Sequence, residues 1–131
     1  MRIPFKYCDY VVDGKNHYLP VVVRTREGLR LVKQRIPDGR RIRLPADLVC
    51  FNLGFVLSDS RMHEKLRTYS HAHQVLQGWF EETWLSWTPN STNLHPREPH
   101  RWPCVRRYDP GDYPEILQGH PLLRRYPEEM K

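Results

Sequence analysis

Residues 59–87 read DSRMHEKLRTYSHAHQVLQGWFEETWLSW, and this stretch carries the clearest structural pattern in the chain. Large apolar and aromatic side chains recur there at steps of three or four residues, which is the spacing of one face of an α-helix. The pattern predicts one long amphipathic helix over residues 60–86. Its apolar face comprises Met62, Leu66, Tyr69, His73, Leu76, Phe80, Trp84 and Trp87.

The residues before this helix have the composition of β-strands. Residues 5–12, 17–25, 29–36 and 41–44 are rich in β-branched and aromatic side chains. Turn sequences containing glycine separate them, at a spacing that favours hairpins over helical crossovers. The prediction is an antiparallel β-meander of three to four strands, either open or closed into a small barrel.

The last part of the chain has a different composition. Eight of the 12 prolines lie in residues 88–131, and proline interrupts long regular elements. The segment still carries many large apolar residues, which a solvated tail would not need. We therefore predict an α+β fold in one domain, residues 1–131. Its parts are a β-meander (1–44) packed on a helical part (45–87), and a mostly irregular Pro-rich segment with short helices that wraps the core (88–131).

The positive charge is concentrated in one stretch. The net charge is +6, and residues 24–43 hold eight basic side chains against two acidic ones, whereas the rest of the chain is balanced. Clustered guanidinium groups bind phosphates, so the first functional hypothesis is a nucleic-acid-binding module, for DNA or RNA. The predicted phosphate contacts are Arg24, Arg26, Arg30, Arg40, Arg41 and Arg43.

The arginine cluster also has a simpler explanation. Strands with one exposed face present charged residues to water, partly as protection against edge-to-edge pairing. The sequence contains no RNP motif, zinc finger or basic zipper that would decide between the two explanations.

The three tryptophans near the end of the predicted helix also have two interpretations. Trp79, Trp84 and Trp87 would form part of the core if the Pro-rich segment covers them. Tryptophan is also enriched at interaction hot spots. The second functional hypothesis is therefore a protein-interaction or assembly protein that uses the Trp-rich helix and the Pro-rich segment to bind a protein partner or a second copy of the chain, with these three tryptophans at the interface.

The histidines do not form a metal-binding pattern. His71 and His73 would diverge on a helix, and the HExxH-like stretch at His63 has Arg67 where the second histidine should stand. We predict no metal and no cofactor. A small hydrolase or nuclease, with a site assembled from dispersed histidines and carboxylates, is the third hypothesis. The sequence supports a binding protein better than an enzyme.

The remaining features concern the compartment. The three cysteines are far apart and form no CxxC, which favours reduced thiols. Cys50 stands between Val49 and Phe51, and we expect it to be buried. No stretch resembles a signal peptide or a membrane span, so the predicted location is cytoplasmic, or nuclear for a eukaryotic or viral protein.

Overall fold

The structure is a computed structural model, and it describes residues 1–13, 27–33, 36–38, 45 and 49–127. It is a mixed α/β fold. Within the described residues the strands are β1 (Pro4–Phe5), β2 (Tyr7–Asp13), β3 (Leu31–Lys33), β4 (Ile36–Pro37) and β5 (Cys104–Arg107), and the α-helix is α1 (Asp59–Thr68). No described helix has both the length and the apolar character that crossing a membrane requires.

The larger described sheet pairs strands from the N-terminal part of the chain with a strand from the Pro-rich segment. Its strand order is β1-β2-β5, and both pairings are antiparallel. β1 and β2 connect through Lys6, whose φ of 62° lies in the left-handed region and reverses the chain tightly. β5 comes from the Pro-rich segment, which we predicted to be mostly irregular. Residues 104–107 contain no proline, so they can form a ladder with β2.

The predicted meander is shown only in part. Its first strand is present as β1 and β2, whereas the second and fourth predicted strands, residues 17–25 and 41–44, lie outside the described residues. The third, over residues 29–36, is instead two short strands, because β3 and β4 pair with each other. A meander of three to four strands and a closed barrel are therefore not shown by the described part of the chain.

The prediction of one long helix over residues 60–86 is wrong. α1 ends at Thr68, and Tyr69 is already extended, with ψ of 157°. A 3-10 turn follows at Ala72–Gln74, Gly78 adopts φ of 75°, and a π-helical turn spans Phe80–Leu85. A straight helix would spread its apolar face along roughly 40 Å. The broken path brings both ends of that face into one cluster.

The core lies where the helical part meets β1. Phe5 is fully buried, and its ring centroid lies 6.4, 5.4, 6.2 and 6.1 Å from those of Trp79, Trp84, Trp87 and Trp102. We call these five residues the aromatic core. Two indole nitrogens in it are satisfied. Trp79 Nε1 donates to the carbonyl oxygen of Leu94, and Trp84 Nε1 donates to Asp59 Oδ1 at 2.8 Å.

The Pro-rich segment packs on this core, as its apolar content predicts. Leu94 and Trp102 are buried, and Tyr126 packs against the cluster from near the C-terminal end. Residues 121–126, which we call the C-terminal strap, are held to β2 by backbone bonds. The amide of Cys8 donates to the carbonyl oxygen of Arg124 at 2.9 Å, and the amide of Tyr126 donates to Asp9 Oδ1 at 3.0 Å. Two 3-10 turns are present in this segment, at Pro110–Asp112 and Glu115–Leu117, whereas residues 121–126, for which we also predicted a turn of helix, contain none.

Candidate nucleic-acid interface

The arginine cluster predicted from the sequence falls mostly beyond the described residues. Arg24, Arg26, Arg40, Arg41 and Arg43 lie outside them, so their contact with phosphate stays a prediction. Arg30 is described and exposed. Its backbone is fixed by Asp38, whose amide donates to the Arg30 carbonyl oxygen at 2.8 Å, while Asp38 Oδ1 accepts from the Arg30 amide at 3.3 Å.

A second basic surface lies on β5. Arg106 and Arg107 are adjacent and exposed, and β5 is an edge strand of the three-stranded sheet that the structure describes. Because neighbouring residues of a strand point to opposite faces, the two guanidinium groups project to either side of the sheet. The ion pairs within the described ranges are Arg61 with Glu64 and Arg101 with Glu98. Neither β5 arginine therefore has a carboxylate partner among the described residues.

Each of these arginines lies beside a half-buried tyrosine. Tyr10 on β2 is the register partner of Arg107, and the two therefore share a face of the sheet. Burial raises the pKa of the Tyr10 hydroxyl and the Asp9 carboxylate raises it further, while the charge of Arg107 lowers it. Arg107 is thus close enough to lower the pKa of the Tyr10 hydroxyl.

The opposite face holds a small aromatic cluster with two guanidinium groups nearby. The Tyr108 ring lies 6.0 Å from Phe51 and 5.3 Å from Tyr113, measured between centroids. Burial and the Asp112 carboxylate raise the pKa of Tyr108, whereas the charges of Arg2 and Arg106 lower it. Phe51 and Tyr108 are half-buried, so parts of both rings remain exposed to solvent. We define the β5 surface as Arg106, Arg107, Tyr10, Tyr108, Phe51 and Arg2.

Sequence reasoning missed the β5 surface. The arginines were assigned to the N-terminal hairpins because the charge excess lies there, and the Pro-rich composition concealed a strand. The signal that could have revealed it is the proline-free stretch CVRRY at residues 104–108, in which valine and tyrosine flank the arginine pair. Pairing with β2 is a long-range contact that local composition does not encode.

The three tryptophans of the interaction hypothesis lie in the aromatic core. Trp79, Trp84 and Trp87 are 3%, 0% and 4% exposed. Their side chains are buried in this structure, and a protein partner at these residues stays a prediction. The core interpretation explains their position, because Phe5 and the Pro-rich segment cover them from two sides.

The described histidines and cysteines do not converge. No group of three or more metal-ligating side chains occurs in the part of the chain that the structure describes. His71 and His73 are exposed around a 3-10 turn, and the Nδ1 of buried His95 accepts from the amides of Arg97 and Glu98. Cys50 is exposed, which contradicts the burial expected from its apolar neighbours.

Comparisons with known proteins identify no relative. No family model matches the chain, and neither the curated proteins nor the solved structures contain a significant match.

Proposed function

We propose that this protein binds nucleic acid through the β5 surface together with the arginine-rich stretch of residues 24–43. The observation that carries the proposal is the pair Arg106 and Arg107. Both are exposed at the outermost described strand, and each adjoins a partly exposed tyrosine. This pair lies far from residues 24–43 in sequence and supports the same chemistry independently.

Phosphate binding supplies the affinity in this proposal. A guanidinium group presents five N–H donors in a planar fork that fits a phosphate, and it keeps its charge at any physiological pH. Guanidinium groups that already pair with carboxylates must lose those pairs before they bind a phosphate. Arg106 and Arg107 form no such ion pair within the described ranges, so they are available to a polyanion without that loss.

The aromatic rings favour single-stranded over duplex nucleic acid. Unpaired bases stack on tyrosine and phenylalanine rings, and each stacked base contributes about 1–3 kcal/mol. A base pair inside a duplex has no free face for such stacking. Tyr10 lies next to Arg107 on one face of the sheet, and Tyr108 lies next to Arg106 on the other. A single strand that crosses the edge of the sheet at β5 could place phosphates on both arginines and stack bases on the ring of either face.

The test is a salt titration with labelled oligonucleotides, single-stranded and duplex, followed by fluorescence anisotropy. We expect binding that weakens steeply with salt. The double variant Arg106→Ala/Arg107→Ala should bind more weakly, with a slope of log K against log salt reduced by about 1.5. Arg67→Ala removes one exposed guanidinium from α1 instead and serves as the control. No binding to any oligonucleotide at low salt would refute the proposal.

Tyr108→Leu separates stacking from charge. It keeps an apolar side chain and leaves both arginines in place, so it should weaken single-strand binding without changing the salt slope. Unchanged single-strand binding in Tyr108→Leu would show that the β5 surface acts by charge alone. The other two hypotheses, a protein-interaction protein and a small hydrolase, stay predictions with less support.

A further inference from the structure

A cleft lies between α1 and the C-terminal strap, away from the β5 surface. Its volume is about 710 Å³, which is in the range of small-molecule sites. One wall is a face of α1 and the other is the strap, with residues that precede α1 at the base. The residues that line the cleft include Leu57, Arg61, Glu64, Lys65, Leu122 and Arg124.

Two cations in the cleft have no carboxylate partner among the described residues. Arg61 pairs with Glu64 at 3.6 Å, whereas neither Lys65 nor Arg124 forms an ion pair with a described residue. Each is held by one backbone carbonyl: Lys65 Nζ donates to Gly54, and Arg124 Nη2 donates to Leu57 at 2.8 Å. An ammonium group has three N–H donors and a guanidinium group has five, so both retain donors for a ligand.

The surroundings of Lys65 make its charge costly. Burial lowers the pKa of its ammonium group. The Phe55 ring, whose centroid lies 4.1 Å from Nζ, gives the charge a cation–π contact but no hydrogen-bond acceptor. Withdrawing a charge from water is unfavourable unless an opposite charge compensates it. A bound anion would supply that compensation.

Apolar side chains also line the cleft, beside the polar Ser58 and Thr68. Val56 is buried at the base of the cleft, and Leu57 and Pro121 also line it. Leu122 lies on the strap and is 60% exposed, which leaves a large apolar side chain open to water at the rim. A small inorganic ion would leave this apolar surface uncovered.

We propose that the cleft binds a small amphipathic anion, with its carboxylate or phosphate head on Lys65 and Arg124 and its apolar body on Leu57 and Leu122. Charge complementarity selects the head and the apolar lining selects the body. The site is independent of nucleic-acid binding, because none of its residues belongs to the β5 surface.

The test is isothermal titration of the full chain with octanoate and with octyl phosphate, which distinguish the two head groups. Octanol lacks the charge, and acetate lacks the apolar body. We expect at least one of the first pair to bind, and both octanol and acetate to bind at least about tenfold more weakly. If neither anion binds, or if octanol or acetate binds equally well, the proposal is wrong.

Variants locate the site. Arg124→Met and Lys65→Met should each weaken binding by about tenfold, because a charge-assisted hydrogen bond is lost. Arg67→Met, on α1 but outside the cleft, should leave it unchanged. Leu122→Asp places a carboxylate at the exposed rim and should also weaken binding. If Lys65→Met fails to fold, Leu122→Asp and Arg124→Met together test whether the anion binds in the cleft. Unchanged affinity in these two variants would overturn the proposal.

Discussion

Lys6 and Lys65 show how differently the aromatic core and the cleft treat the same side chain. Lys6 is 7% exposed, and its Nζ donates to the carbonyl oxygens of Trp84 and Leu85 at the end of the π-helical turn. Burial lowers the pKa of Lys6, the Asp59 carboxylate raises it, and Arg124 lowers it. Lys65 has one carbonyl partner and opens onto a cleft.

The difference indicates that Lys6 has a structural role and that Lys65 is available to bind a ligand. The core supplies Lys6 with carbonyl oxygens and a nearby carboxylate, so changes there should act on stability. The cleft leaves Lys65 with unused donors, so changes there should act on binding. The predictions below test this contrast by the size of the loss in unfolding free energy.

The largest expected effect is that of Phe5→Ala. The substitution removes a fully buried ring that contacts four tryptophans, and we expect the free energy of unfolding to fall by about 3–5 kcal/mol. Urea denaturation followed by tryptophan fluorescence measures it. Ile116→Ala is the control, because Ile116 is 86% exposed and its loss should cost less than about 0.5 kcal/mol. A loss below about 1 kcal/mol for Phe5→Ala would show that this packing is incorrect.

The next largest effect is the difference between the two lysines in how much a Lys→Met substitution lowers the free energy of unfolding. Lys6→Met leaves the buried carbonyl oxygen of Trp84 without its lysine donor and should lower the free energy of unfolding by about 1–3 kcal/mol. Lys65→Met should cost about 1 kcal/mol or less, since solvent can replace the lost donor at a half-exposed position. The same urea experiment serves both variants. Equal losses would remove the distinction between a structural and an available lysine.

The smallest effect concerns alkaline pH. Tyr113 is 3% exposed, its hydroxyl donates to the carbonyl oxygen of Cys8 at 2.8 Å, and burial raises its pKa well above the ordinary 10.0. The folded state therefore keeps the phenol proton after the unfolded state has lost it. This contribution to stability is present below the unfolded pKa of 10.0 and is lost as pH rises above it, by up to about 1.4 kcal/mol per pH unit.

Tyr113→Phe isolates that contribution. The variant should lose about 1 kcal/mol at neutral pH with the hydrogen bond, and it should decline less steeply than the parent between about pH 9 and about pH 11. Urea denaturation across this range gives both slopes, and other titrating groups cancel in the difference. Parallel slopes would mean that the Tyr113 hydroxyl ionises freely in the folded state.

Parts of the fold and of the candidate site could be predicted from the sequence. The first strand, the mixed α/β class and the packing of Leu94 and Trp102 on the core follow from strand propensity and apolar content. The β5 surface could not be predicted, since β5 pairs with β2 across about ninety residues and local pattern carries no information about such pairing. The same holds for the cleft, because Lys65 comes from α1 and Arg124 comes from the C-terminal strap.

The sequence by itself determined most of the side chains that leave water. These are the apolar face of residues 59–87, except His73 and Leu76, which stay exposed, and the aromatic residues of the Pro-rich segment. Burial depends on composition and spacing, and both can be read along the chain. Only the tertiary structure decided how these residues meet. The apolar face is broken at Tyr69 and Gly78 so that it closes around Phe5, because a cluster requires proximity that a straight helix would prevent.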